Sequence, residues 1–172
     1  SGSLYVGGYW SSAGGTGTLN VASGGTVIVG STLKVWPGGT LEIGSGGVVR
    51  TNTLDLTAGG TFDFLGGMLH AATVEGNLIV NGGTVAPGAS PGLTEVHGNF
   101  TLGGGSLEME LMGLVRGISY DAIDVTGDLD LAGGQLDVLL LSGYSPAQGD
   151  TFDLLNWGGN LNGIFSTEPA HT

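Results

Sequence analysis

The stretch Gly76 to Leu111, GNLIVNGGTVAPGASPGLTEVHGNFTLGGGSLEMEL, decides how the chain is read. It holds two copies of one unit, separated by a proline-bearing turn. In the first copy Leu78 and Val80 lead to Gly82-Gly83, then to Thr84 and Val85. In the second Phe100 and Leu102 lead to Gly104-Gly105, then to Ser106, Leu107 and Met109. Apolar residues at period two describe a strand with one buried face. A glycine pair between two such runs supplies the positive φ of a tight corner.

Working outward, the unit recurs on both sides. Leu19 and Val21 precede Gly24-Gly25, Leu33 and Val35 precede Gly38-Gly39, and Leu54 and Leu56 precede Gly59-Gly60. Downstream, Leu129 and Leu131 precede Gly133-Gly134. The spacing varies, so the repeat is degenerate rather than an array of identical modules. Each copy buries a handful of aliphatic side chains, worth roughly 1.5–3 kcal/mol apiece. Fixing the backbone of its ~20 residues costs on the order of 20–40 kcal/mol. No copy folds alone, so neighbours must share buried faces and backbone hydrogen bonds.

The expected fold is therefore all-β. Residues 1–92 read as a β-helix or solenoid, right-handed by the parallel-crossover rule. Residues 93–172 read as a β-rich closing region continuous with it, sheet- or sandwich-like, because their runs are longer and alternate more strictly, as in Leu107-Glu108-Met109-Glu110-Leu111. The register places Leu33, Val35, Leu41, Ile43, Leu54, Leu56, Leu78 and Val80 inside and Lys34, Glu42 and Asp55 outside. A slip of one residue inverts all of these.

Composition agrees with this reading and narrows the function. The 37 glycines in 172 residues are about three times the usual ~7% share and lack collagen's period of three. No apolar run reaches the ~20 residues of a membrane helix. No basic stretch with an apolar core opens the chain, so a signal peptide is expected to be already gone. The absence of cysteine excludes a disulfide framework and thiolate metal sites. The net charge of −12 excludes nucleic acid and anionic membranes as partners. Of the acids, only Glu42, Asp55, Asp63 and Glu75 precede Gly92.

The run Gly83-Thr84-Val85-Ala86-Pro87-Gly88-Ala89-Ser90-Pro91-Gly92-Leu93 resembles the "GTVAPGxSPG" turn of bacterial surface proteins, found in autotransporter passengers and in secreted proteins with a PEP-CTERM tail. Tyr120-Asp121 with Ile123, Val125 and Gly127, and Gly149-Asp150-Thr151-Phe152-Asp153-Leu154-Leu155 with Gly163 and Phe165, are similar to the segments downstream of that turn in such proteins. Gly17-Thr18-Leu19-Asn20-Val21 with Gly24-Gly25-Thr26-Val27 resembles the autotransporter-associated strand repeat. The resemblance implies a β-helical protein of the cell surface or extracellular space of a Gram-negative-type bacterium. It implies scaffolding rather than an activity. Neither a PEP-type anchor nor a membrane barrel is read before Thr172, so those parts are expected to have been removed or the protein released.

Each chemistry-bearing residue also has a structural alternative. Gly88-Ala89-Ser90-Pro91-Gly92 matches a hydrolase nucleophile elbow, but Pro91 lacks the N–H that an oxyanion hole requires. His97 and Glu95 share a strand face as candidate metal ligands, yet two ligands make a weak site. Asp121, Asp124, Asp128 and Asp130 are candidates for calcium, without the dense Asp/Gly spacing of a calcium repeat. Asp55 and Asp63 flank one glycine corner, where a polysaccharide hydrolase would need facing carboxylates. Only Lys34, Arg50 and Arg116 are available to hold an acidic sugar. Tyr5, Tyr9, Trp10 and Trp36 could stack on a glycan or fill an end.

The sequence thus points to a non-catalytic extracellular scaffold needing no catalytic residue, metal or other cofactor. Its expected partner is itself, as a homopolymer, or the rest of a larger surface protein. A glycan-binding adhesin is the alternative, and a polysaccharide-active enzyme comes third. Head-to-tail self-association is expected through Leu4, Tyr5 and Val6 at one end. At the other it uses Ile164 and Phe165, in an apolar strand over Asn162-Gly163-Ile164-Phe165-Ser166-Thr167. Exposed strand edges recruit further strands.

Overall fold

A computed structural model of the chain describes residues 2–88, 90–131, 133–166 and 170–171. Among them there is no helix. In chain order the strands are β1 (Leu4–Val6), β2 (Gly17–Val21), β3 (Thr26–Val35), β4 (Gly39–Ile43), β5 (Val48–Asp55), β6 (Thr61–Phe64), β7 (Met68–Glu75), β8 (Leu78–Val80) and β9 (Thr84–Val85). Then come β10 (Leu93–His97), β11 (Phe100–Leu102), β12 (Ser106–Leu111), β13 (Ala122–Val125), β14 (Leu129–Asp130), β15 (Gln135–Leu140), β16 (Leu155–Trp157), β17 (Leu161–Asn162) and β18 (Ala170–His171). The fold is all-β, and the named strands pair in parallel. Antiparallel pairing is confined to isolated bridges such as Gly8 with Ala13.

The strands β3, β5 and β7 are long because each turns a bend and serves two ladders. Their first halves align Val27 with Val49 and Val49 with Leu69, and the ladder continues through β9, β12, β15 and β18. Their second halves align Leu33 with Leu54 and Leu54 with Val74, with β1 on one side and β10, β13 and β16 on the other. A third set of short strands forms two separate sheets, β2-β4-β6 and β8-β11-β14-β17. Side-chain partners on adjacent rungs lie 21 or 22 residues apart as far as Ser106 and 29 to 32 apart beyond it. Over 93–172, where a sheet- or sandwich-like closing region is expected, the strands add in parallel to sheets begun upstream: β10 on β7, β11 on β8 and β12 on β9.

Like stacks on like inside. Leu33, Val35, Leu41, Ile43, Leu54, Leu78 and Val80 are buried, and Leu56 packs against them partly exposed. The register read from alternation holds. The outward residues are not simply solvated, however. Lys34 meets Asp55 on the next rung at 2.7 Å and lies over the Trp36 ring, and His97 meets Glu75 at 3.0 Å. Parallel in-register pairing turns one outward position into a continuous column, so each charge acquires the neighbour that the repeat step assigns it.

The glycine pairs divide their work. Gly24, Gly38, Gly59 and Gly83 take positive φ, whereas Gly25, Gly39, Gly60 and Gly82 do not. At Gly39 a Cβ would collide with the carbonyl oxygen of Val6 on the rung before it. One glycine of the pair turns the chain, and the other lets two rungs approach. Gly46-Gly47 and Gly66-Gly67 form further corners of this kind, with positive φ at Gly46 and Gly67.

A second device takes over further along the corner that Gly38-Gly39 and Gly59-Gly60 turn in the first rungs. Asn77 Oδ1 accepts from the Asn99 N–H, Asn99 Oδ1 from the Asp128 N–H, and Asp128 Oδ1 from the Asn160 N–H, at 2.9, 2.9 and 2.7 Å. Each amide or carboxylate satisfies the turn of the next rung.

Candidate functional site

The bends of β3, β5 and β7 free backbone carbonyls that cannot remain unpaired. Buried threonines satisfy them: Thr51 donates to the Ser31 and Thr53 carbonyls and Thr94 to that of Ala71. Outside the bend lies a cavity of about 280 Å³ lined by Ile28, Val29, Arg50, Thr51, Asn52, His70, Ala72 and Gly88. Ile28, Arg50 and His70 occupy one outward column, aligned rung by rung. The turn after Val85 passes over the end of this column, which is why His70 is buried although its column faces outward.

Neither nitrogen of the His70 ring has a hydrogen-bond partner among the described residues, and the residue is only 5% exposed. Burial and the nearby Arg50 charge push its pKa down to about 4, while the Ala86 backbone pulls weakly upward without reaching hydrogen-bond geometry. The ring is neutral at neutral pH, with one nitrogen to donate and the other to accept. Asn52 and Arg50 are exposed beside it.

The far end of the turn is held by Asp121, which is 1% exposed. Its carboxylate accepts the Gly92 N–H at 2.6 Å and the Glu110 N–H at 2.9 Å. Burial pushes its pKa up to about 6; the two backbone bonds pull it down, and the Glu110 and Glu108 carboxylates push it up. Asp121 is thus a clamp between the turn and the next rung. The loop after β12 is pinned by Arg116, whose guanidinium forks onto Asp124 at 2.6 and 3.1 Å. Those hydrogen bonds hold the Asp124 carboxyl below its ordinary range. Above this anchor Leu114, Val115 and Ile118 stand exposed.

The other candidate residues do not converge. Asp121 is occupied as described, Asp124 also accepts from Asn156, and Asp128 accepts from Asn160. No group of three or more metal-ligating side chains exists among the described residues. His97 pairs with Glu75 rather than Glu95. Asp55 is taken up by Lys34 and by Thr57, and Asp63 stacks beside Glu42. Ser90 is exposed at φ 49° and is followed by a strand, not a helix, while Ala89 lies outside the described residues.

At the ends, Leu4, Tyr5 and Val6 form β1, and Trp36 donates to the Tyr9 carbonyl while Tyr9 and Trp10 are 64% and 78% exposed. The strand expected over 162–167 is confined to Leu161–Asn162. Ile164 is 80% exposed outside any strand, Phe165 packs against the core, and Thr167 lies outside the described residues. Gly163, at φ 71°, turns the chain away from the ladder.

With this geometry established, the chain was compared with known proteins. No family model, curated protein or solved structure matches it. No helix among the described residues is long and apolar enough to cross a membrane.

Alternation does not single out His70 or Asn52. Their signal is positional: Arg50 and His70 each stand three residues after the second glycine of a pair, Gly46-Gly47 and Gly66-Gly67.

Proposed function

We propose that this chain is a right-handed β-helical portion of an exported bacterial surface protein and works as a non-catalytic scaffold that extends by adding rungs end to end. The observation that carries this is the parallel register that runs from β1 to β18 through one continuous sheet. A chain that keeps returning to the same ladder advances by one strand spacing per circuit, which is the geometry of a stiff rod. The "GTVAPGxSPG"-like turn supports the exported, surface-located part of the reading. Of the two carboxylates that a hydrolase would use, Asp55 is bonded to Lys34 in its own column.

The end-to-end part draws on the first rung. There β1 and β2 are each paired on one side only among the described residues, and they flank an apolar groove of about 240 Å³ lined by Leu4, Val6 and Leu19. Another rung fits such an edge, and repetition of that heterologous contact builds open filaments. The test is electron microscopy of the purified chain at high concentration. Unbranched filaments are expected, and Leu4→Lys with Tyr5→Lys should leave folded monomers. A chain that stays monomeric under all conditions removes self-assembly from the proposal.

The exposed Tyr9 and Trp10 favour a second reading, a glycan-binding module, since sugar C–H faces stack on such rings. Selective binding on a glycan array that is lost with Trp10→Ala would establish it.

A further inference from the structure

The chain has fifteen carboxylates and three Lys or Arg side chains. With acids in such excess, each cation should find one. Lys34 binds Asp55 and Arg116 binds Asp124. Arg50 alone has no acidic partner among the described residues. Its neighbours in register are Ile28 and His70.

Next to this unpaired cation is a histidine ring, buried and with both nitrogens unmet, lining the same cavity. Both nitrogens are sealed from solvent, so the ring forms a wall of the cleft beside the guanidinium and leaves the polar contacts to Arg50 and Asn52. The remaining walls are the exposed Ile28, the half-buried Ala72 and the buried Val29, with the Asn52 amide at the rim. The cavity's 280 Å³ lies at the lower end of the ~300–1,000 Å³ typical of small-molecule sites. It suits one compact residue of a ligand.

The chemistry selects among anions. A guanidinium pairs best with a planar carboxylate through two parallel hydrogen bonds. The Asn52 amide at the rim presents both a donor and an acceptor, and a hydroxyl group matches both. Phosphate and sulfate offer chiefly acceptors, and their higher charge is opposed by the net −12 of the chain. The apolar floor at Ile28 and Ala72 suits a C–H face. We propose that this cleft binds a uronate residue of an acidic glycan, with Arg50 on its carboxylate, Asn52 on a hydroxyl, Ile28 beneath its ring and the His70 ring as a wall beside Arg50. This goes beyond the scaffold reading, which needs no ligand.

The test is titration of the intact chain with sodium glucuronate, followed by calorimetry and by the NMR signals of the His70 ring. Saturable binding in the millimolar range, with movement of those signals, is expected. Arg50 is exposed and has no ion pair among the described residues. Arg50→Gln should therefore fold and melt like the parent while binding glucuronate about tenfold more weakly. Glucose, which lacks the carboxylate, and acetate, which lacks the ring, should each bind about tenfold more weakly than glucuronate. No saturable binding of glucuronate, undiminished binding by Arg50→Gln, or equal binding of acetate or inorganic phosphate would each overturn the proposal.

Discussion

Two corners of each rung behave in opposite ways. The corner after β2, β4, β6, β8, β11 and β14 stays tight throughout, turned at Gly24-Gly25, Gly46-Gly47, Gly66-Gly67, Gly82-Gly83, Gly104-Gly105 and Gly133-Gly134. The corner that links the first-half ladder to the second-half ladder loosens along the chain. It begins as bends inside β3, β5 and β7, becomes the turn 86–92, then the loop 112–121, then the loop 141–154. The tight corner has one rung pressed against the next, so growth there would separate backbones. The loose corner faces away from the stack, and growth there costs only loop entropy. The cavity, the Asp121 clamp and the exposed apolar loop all belong to the loose corner. Variation has a place to collect without disturbing the ladders.

The largest test of this contrast is at the tight turns that let rungs approach. Replacing both Gly46 and Gly47 with valine forces a β-branched residue into positive φ and drives a Cβ into the Val21 carbonyl. A loss of roughly 4 kcal/mol or more is expected, read by thermal or denaturant unfolding. Unchanged melting would mean that the rungs do not press together at this corner.

A smaller effect, in pH, sharpens the contrast at the loose corner. His70 is neutralised by folding, its pKa lowered to about 4. It therefore adds stability as pH rises from about 4 to about 6.5, and that stability is lost on acidification. Asp121 has its pKa raised to about 6. Its folded form holds a proton that the unfolded chain has released, so its contribution falls as pH rises from about 4 to about 6. Each slope integrates to roughly 3 kcal/mol and the two oppose. Stability of the parent chain should be nearly level between about pH 4 and 6 on account of this pair. The His70→Gln variant should lose stability across that window as pH rises, and Asp121→Asn should gain it. Parallel curves for the three proteins would remove both groups from the account.

The smallest effect tests the loose corner itself. Lengthening the 141–154 loop at Ser142-Gly143 with a few Gly and Ser residues should change stability by less than about 0.6 kcal/mol. A comparable insertion between Gly46 and Gly47 should prevent cooperative unfolding from being seen at all.

Legibility in the sequence has the same division. Which residues face inward is readable, because alternation depends only on the strand: Leu33, Val35, Leu54 and Val80 are all buried. Lateral neighbours are not readable, because they depend on the repeat step. Lys34 and Asp55, or Glu75 and His97, become partners only once the circuit length is known. The corners at Gly46-Gly47 and Gly66-Gly67 do not stand out, because the runs before them, Leu41 to Ile43 and Phe62 to Phe64, already close the preceding units. His70 is hidden for a related reason. Its burial comes from a turn after Val85, outside its own strand, and local pattern carries no trace of that cover.

The asparagine ladder has a further consequence. Asn77, Asn99, Asp128 and Asn160 are bonded one to the next although their separations in sequence grow from 22 to 29 to 32. Height in the molecule is thus counted in hydrogen bonds and not in residues, about 4.8 Å for each strand added. However long an excursion becomes, the chain re-enters at the next graduation. The edge that carries these four residues is in effect a ruler, and the turn 86–92 and the two later loops, on another edge of the same rungs, keep a fixed height against it.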